Sequence, residues 1–371
     1  MERRNSMART PLSSVVAPRR SRSKSYRRSY HSCLGAASYL SLTSGLTARR
    51  LTTSRRAPKS HSITEKVSPE QLALLVKKEW QLSYVTPLHQ FRHKQLKSYS
   101  RQLQAFIVAE RQQGLAVGME GADSSFRVSF SVLQGMVETD DDAESVFVQI
   151  HSKPVFAGQE KPMRSVWSGW LACISGSPDY LRSLPEDFVC LPLFCSSGAE
   201  WLTSLVKSWF QRMFDCCFGP LEINTTNLEW LVALWTNCHS EFNIQHLKLM
   251  WTLPVVPPLE VTYTLHPQDA WELWRSIRED VQDEEKTEGG RDTMAKDGGS
   301  ICIEEVMRFM QALKCHFYRH FRVDLSTGRL DQVSTALGSA KHNGKIKISN
   351  SSYMITTLML LTECALLKMP I

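Results

Sequence analysis

From Ser68 onward the spacing of apolar residues switches between a period of 3.6 and a period of 2, and the switches predict the elements. In "SPEQLALLVKKEW" Ser68 suits a helix N-cap and Pro69 the first helical position, while Leu72, Leu75, Val76 and Trp80 make one stripe. A second helix is predicted over 93–113, with Leu96, Tyr99, Leu103, Phe106 and Ile107 on one face and Gly114 to stop it. The period then becomes 2. In "SFRVSFSVL" Phe126, Val128, Phe130 and Val132 alternate with Arg127, Ser129 and Ser131, as in a strand with one face buried and one wet.

"SVFVQIH", "SVWSGWLACIS" and "FVCLPLF" supply further strands between polar or Pro/Gly breaks. Helical spacing returns in "AEWLTSLVKSWFQRMFDC", whose broad face holds Trp201, Leu202, Leu205, Val206, Trp209, Phe210, Met213 and Phe214, and in "NLEWLVALW", apolar nearly all round. "HLKLMWTL" and "LEVTYTL" alternate again. "PQDAWELWRSIRED" reads as a short helix leading into a charged, Gly-containing stretch, 281–300, expected to be solvated and mobile. A helix over 303–320 places Ile303, Val306, Met307, Met310, Leu313 and Phe317 on one side. "RLDQVSTALGSAKHNGKIKIS" reads as a hairpin turning at Asn343-Gly344, and a C-terminal helix completes the chain. Consecutive strands at this spacing favour antiparallel pairing over helix crossovers, so the expected fold class is α+β.

Charge divides the chain. Its 44 Lys/Arg and 37 Asp/Glu give +7 overall, but residues 1–68 hold fifteen basic and two acidic residues, 15 − 2 = +13, which leaves 29 − 35 = −6 for the remainder. Residues 1–66 are therefore expected to be a disordered, basic Ser/Arg-rich tail attracted to phosphate, ahead of one folded body over 67–371. Most of the ten cysteines lie inside apolar runs, as buried thiols do in a reducing compartment. No secretory signal or membrane-spanning helix is expected: the start lacks a continuous apolar run, and "MITTLMLLTECALL" is short and contains Glu363.

The search for chemistry finds no P-loop, dinucleotide fingerprint or nucleophile elbow. His316 and His320, four apart beside Cys315, are short of the three or four convergent ligands that zinc needs and read as a basic helix end. Cys216-Cys217 reads as core. "ETDDDAE" lacks the alternation of a calcium loop and reads as a solvated turn. No catalytic, metal or cofactor-binding residue is assigned. The basic hairpin stands out: in "KHNGKIKIS" the i, i+2 spacing sends Ile346 and Ile348 to one face and Lys345 and Lys347 to the other, with Lys341 and His342 leading into the turn. Such a comb suits duplex phosphates, and it also suits an ordinary charged strand face. Arg319, Arg322 and Arg329 extend it if the fold brings them near.

Four stretches carry a resemblance: "TPLHQFRHKQLKSYSRQLQAFIVAERQQGLAV" (86–117), "EDFVCLPLF" (186–194), "WFQRMFDCCFGPLEIN" with "NLEWLVALWT", and "HFYRHFRVDLSTGRLDQVSTALGSAKHNGKIKI" (316–348). On these the body, from about Val67 to Asp280 and from Ile301 to Leu367, resembles the centromere protein L family of vertebrate kinetochores. The resemblance implies curved, largely antiparallel sheets with helices packed against them, and a non-enzymatic scaffold in the nucleus, within the constitutive centromere-associated network. Implied partners are centromere protein N as heterodimer, through β-structure extended between subunits, then centromere protein C, the H/I/K/M subcomplex and the centromeric nucleosome with its DNA. In that family lysines of the "GKIKI" segment face a DNA groove, which turns Lys345 and Lys347 into expected phosphate contacts. Lys153, Lys161 and Arg164, flanking two predicted strands, are weaker candidates for the same groove. Residues 1–66 do not match the family's pattern, so nothing carries over to them.

The alternative is a mitochondrial matrix protein with residues 1 to about 60 as a cleaved presequence, which acid-poor, Arg- and Ser-rich composition suits. A helical wheel does not support it, since Leu34, Tyr39, Leu40, Leu42 and Leu46 form no clean stripe and Gly35 and Gly45 weaken a helix. A third reading makes the tail a phosphorylation-controlled arm, with Ser6, Thr10, Ser21 and Ser29 in kinase-suited contexts.

Overall fold

The structure is a computed structural model that describes residues 55–56, 67–114, 126–152, 163–237, 245–288 and 300–369. A two-residue strand, β1 (Arg55–Arg56), comes first. Helix α1 (Pro69–Leu75) leads into β2 (Glu79–Val85) and β3 (Leu88–His89), then a 3-10 turn (His93–Gln95) and α2 (Leu96–Gly114). The middle of the chain forms β4 (Phe126–Leu133), β5 (Ser145–Ser152), β6 (Arg164–Ala172), α3 (Pro178–Ser183), β7 (Phe188–Val189), β8 (Leu193–Gly198), α4 (Glu200–Phe214), β9 (Phe218–Pro220) and α5 (Thr225–Asn237). The last part forms β10 (Leu247–Leu253), β11 (Leu259–Leu265), α6 (Pro267–Glu288), β12 (Ser300–Ile301), α7 (Ile303–Phe321), β13 (Arg329–Ser334), β14 (Gly338–Lys341), β15 (Lys345–Ile348) and α8 (Met354–Lys368).

Eleven strands join one sheet in the order β11-β10-β13-β14-β15-β2-β8-β6-β5-β4, with β9 attached to β2. Its pairings are antiparallel, as consecutive strands predicted. Strand β2 is the seam. On one side its first residues meet β15 and its last meet β9, and on the other it pairs with β8. The period-2 pattern divides its side chains between two cores: Trp80 and Leu82 enter the larger, Val85 the smaller. The larger core lies under α5, α6, α7 and α8 and takes up Trp170, Trp230, Trp251 and Trp274, each at most 1% exposed. The smaller core lies under α2 and α4, where Leu103, Ile107, Val206 and Phe210 meet β4, β5 and β6. No residue of β10, β11, β13, β14 or β15 enters the smaller core, and this leaves one face of that half of the sheet open. At about 25 cal/mol per Å² of apolar surface, each buried Trp contributes several kcal/mol, so six of them in one core anchor the helical layer firmly.

Several expectations change. The stripe expected to continue to Trp80 breaks at Lys77, which adopts the left-handed region (φ 63°), and Trp80 falls on β2. Its indole still donates back to the Leu75 carbonyl at 2.8 Å, and its side chain shares the larger core with Leu72 and Leu75. "FVCLPLF" is two strands, because Pro192 cannot donate to a ladder and its carbonyl instead accepts the Val85 N–H. The expected C-terminal hairpin is a three-stranded meander, β13-β14-β15, with Gly344 in the left-handed region (φ 77°) at the second turn. Trp201, Met213 and Met307 are exposed rather than on the buried faces of α4 and α7.

Helix α6 runs to Glu288, beyond the 281 at which a mobile loop was expected, and Val281 is buried; 289–299 lie outside the described residues. The turn in "ETDDDAE" is not wholly solvated either. Asp142 is 9% exposed and its carboxylate accepts the N–H groups of Glu138, Thr139, Ser175 and Gly176, tying the β4–β5 connection to the end of β6. Within residues 1–66, Arg55 and Arg56 pair with Ile301 and Ser300; the rest of that segment, with Ser6, Thr10, Ser21 and Ser29, lies outside the described residues. Among the described residues every cysteine is free, Cys216 is buried, and no helix is long and apolar enough to cross a membrane.

Candidate nucleic-acid interface

The open half-face of the sheet is built by strand register. Lys347 stands opposite Ser339 on β14 and Glu79 on β2; Ser339 stands opposite Ser334 on β13, and Ser334 opposite Lys248 on β10. The row ends at Thr264 on β11. A second row runs Thr262, Met250, Gln332 and Lys341, and Lys345 joins it opposite Gln81. Ile346 and Ile348, between these lysines, are 2% and 4% exposed on the covered face, which fixes the lysines outward. With strands about 4.8 Å apart, Lys248 and Lys347 stand three strands, or about 14 Å, apart. The result is a platform of lysines among polar side chains that can contact several phosphates without reading bases.

Its turn is rigid. Gly344 packs so closely that a Cβ would lie 2.3 Å from the Leu221 carbonyl oxygen, its own carbonyl accepts the Leu82 N–H at 2.8 Å, and Gln81 Nε2 donates to the Asn343 carbonyl at 2.9 Å. His342 is held through its backbone, donating to Asp331 and accepting from Ile223, with its side chain half-exposed at the turn. The lysines therefore project from a backbone that is already ordered, so contact with a ligand costs side-chain freedom only.

The face is not uniformly positive. Lys345 Nζ lies 3.5 Å from Glu79 Oε1, a half-exposed pair, and Glu260 is exposed near the β11 edge. Arg329, the possible extension, holds Asp331 at 2.6 Å, and Thr252 donates to the same carboxylate, so its charge is already matched. Lys248, Lys341 and Lys347 have no ion pair among the described residues. Lys207 approaches the same face from α4. It donates to Ser83 Oγ at 2.8 Å, and burial lowers its pKa from the usual lysine value.

The structure brings together Lys341, His342, Lys345 and Lys347 and adds Lys248, which the sequence reading missed. The signal was weak: one lysine in an alternating strand, made significant only by a register that crosses two intervening strands. Arg319 and Arg322 do not join them. They end α7, which packs through Phe317 on Tyr263, and Tyr263 faces the larger core on the opposite side of the sheet. Arg164 begins β6, about 14 Å across and 10 Å along the sheet from Lys347, at its rim. Lys153 and Lys161 lie outside the described residues. The rings of His316 and His320 lie 4.5 Å apart, tilted at 53° to each other, and His316 contacts the Tyr263 hydroxyl; among the described residues no cluster of three metal-ligating side chains exists.

The sheet's two ends differ. Along the outer edge of β4, Ser100 Oγ accepts the Phe130 N–H at 3.1 Å, while Gln71 donates to the Val132 carbonyl and accepts the Gln134 N–H. These side chains occupy the groups that an added strand would need. Beyond β11 no strand pairs among the described residues, and Leu259, with Val255 and Val256 at the preceding turn, is exposed.

Fold and site together define a class: an α+β sheet protein with an open, lysine-bearing face and, at β11, a sheet edge that no strand among the described residues covers. Residues 74–366 match the family model described as Centromere protein L. Along its whole length the chain is 56% identical to Centromere protein L of Danio rerio, covering 95% of that protein. It is 41% identical to the human protein of that name over 315 residues, 85% of this chain and 86% of the relative, and 41% identical to that of Gallus gallus over 303 residues, 81% and 83%. The chain belongs to the centromere protein L family. It is accordingly a nuclear protein of the centromere and kinetochore, serving chromosome segregation. The mitochondrial reading of residues 1 to about 60 gives way to this assignment.

Proposed function

We propose that this chain is a non-enzymatic scaffold of the inner kinetochore that pairs with centromere protein N and holds DNA on its lysine face. The observation that carries the reading is the juxtaposition of Lys248, Lys341, Lys345 and Lys347 on one rigid open face whose far edge, β11, has no strand paired to it among the described residues. Strand addition at β11 continues both faces of the sheet into the partner, so the lysine platform becomes one wall of a shared groove. Binding there is electrostatic and blind to sequence, since lysines meet phosphates as point charges. Through this pair the chain joins centromere protein C, the H/I/K/M subcomplex and the centromeric nucleosome.

The pairing is tested by proline at Val261 or at Thr262. Of two consecutive edge residues one directs its N–H outward, so one of the two variants removes a donor that the added strand needs. The expected result is loss of copurification with centromere protein N for at least one variant, with circular dichroism unchanged. Gln71→Ala, at the occupied β4 edge, leaves pairing intact. Undiminished pairing with both prolines moves the interface away from β11.

A further inference from the structure

The end of α7 carries side chains that neither the lysine face nor the β11 edge uses. Tyr318, Arg319, His320, Phe321 and the cap Arg322 are all exposed, Tyr318 at 48% and Phe321 at 60%. Tyr318 with Phe321, Tyr318 with Arg322 and Arg319 with Arg322 stand three or four apart, so these four share one surface. Cations at a helix C-terminus complement its dipole, which accounts for the arginines but not for two large rings held in water.

The exposed rings are propped from behind. Phe321 lies 4.6 Å from Phe317, which is buried in the larger core. His320 lies 4.5 Å from His316, and His316 contacts the hydroxyl of buried Tyr263. The Arg322 guanidinium lies 6.0 Å from the centre of the Tyr318 ring, on a backbone closed by the Arg322 N–H, which donates to the Tyr318 carbonyl at 2.9 Å. The rings are thus ordered before any ligand arrives, and stacking on them costs little freedom. Arg319 and Arg322 have no ion pair among the described residues. Asp324, the acidic residue nearest to them along the chain, accepts the Ser326 N–H at 2.8 Å.

We propose that this end of α7 is a binding site for single-stranded RNA, with bases stacked on Tyr318 and Phe321 and phosphates met by Arg319 and Arg322. Flat rings that protrude suit the open face of an unpaired base. An apolar peptide side chain needs a concave pocket instead, and a duplex presents only base edges. The site lies on the helix-covered side of the sheet, away from the lysine platform, and does not rest on the DNA reading of that face.

The test uses the full-length chain and an oligouridylate of about twelve nucleotides, a length typical of single-strand sites. Ultraviolet cross-linking and mass spectrometry should place uridine on Tyr318 or Phe321 in about 0.5 M salt, where contacts made by charge alone, including those of the basic arm, are largely screened. In fluorescence anisotropy at that salt, Tyr318→Ala with Phe321→Ala should weaken binding by about tenfold or more. Tyr318→Phe with Phe321→Tyr keeps both rings and should keep the affinity. Arg319→Gln with Arg322→Gln should reduce the slope of log K against log salt by about 1.4, from two single-strand phosphate contacts at about 0.7 each. Adducts that all fall outside 318–321, or equal RNA affinity with and without the two rings, overturn the proposal. A duplex of the same length that loses as much affinity as the single strand in the alanine variant overturns base stacking. Displacement of the labelled oligouridylate by oligoglutamate as readily as by unlabelled oligouridylate overturns it too, by assigning the cations to an acidic protein.

Discussion

Replacing Lys248, Lys341 and Lys347 together with Gln tests whether the open face meets DNA, and the size of the effect follows from the register. These three have no ion pair among the described residues, so each is available for a phosphate. Each phosphate contact contributes about 0.9 to the slope of log K against log salt, so the triple variant should flatten the slope by about 2.7. Between about 50 and 200 mM salt, a change of 0.6 in log salt, the unaltered chain should lose about 40-fold more affinity than the variant. Fluorescence anisotropy with a short duplex of arbitrary sequence, on the chain paired with centromere protein N, gives both slopes. Gln keeps the first two of the four methylenes that cover the sheet, so thermal stability should change little. A slope within error of the unaltered chain's, at equal affinity, would refute the assignment of this face to DNA.

Four further outcomes follow. Glu79→Gln frees Lys345 from its half-exposed partner, so DNA affinity at low salt should rise and the slope steepen by up to about 0.9, measured in the same titration. Arg278→Ala leaves Glu305, 5% exposed, bonded only to the Cys302 N–H; urea denaturation should show a loss of about 3–5 kcal/mol, against a much smaller loss when both are replaced by apolar residues. Gly344→Ala forces a side chain onto φ 77° and against the Leu221 carbonyl, costing about 1–3 kcal/mol from the backbone conformation alone, with weakened DNA binding because the β14–β15 turn shifts. Gln71→Ala uncovers the Val132 carbonyl of β4 and the Gln134 N–H just past its end, so light scattering should detect more self-association than in the unaltered chain at equal concentration.

Much of the fold was legible because its elements bury one face each. The alternation in "SFRVSFSVL" gives β4 with Phe126, Val128 and Phe130 buried, and the apolar run in "NLEWLVALW" gives α5, wrapped by core on nearly all sides. What failed depended on single backbone choices or on distant partners. The left-handed turn at Lys77 carries no glycine to announce it, and the Asp142 anchor exists only because the end of β6 returns to the β4–β5 connection. Charge alone made 281–288 look like loop, although Val281, buried in the larger core, carries the helix onward.

The candidate site was half legible for a related reason. Within one hairpin, spacing determines facing: Lys345 and Lys347 must share a side once Ile346 and Ile348 take the other. Between strands, facing depends on register. Lys248 reaches the row of Lys347 only because Ser334 and Ser339 stand between them in antiparallel pairing, and a shift of one residue in any of the three ladders would turn it into the core. Arg319 and Arg322, nearer to Lys341 in the chain, are lost to the face because α7 must bury Phe317 against Tyr263 on the other side of the sheet. Proximity in sequence is thus the poorer guide here, and the DNA reading stands on the lysines that the sheet aligns rather than on the basic residues that cluster along the chain.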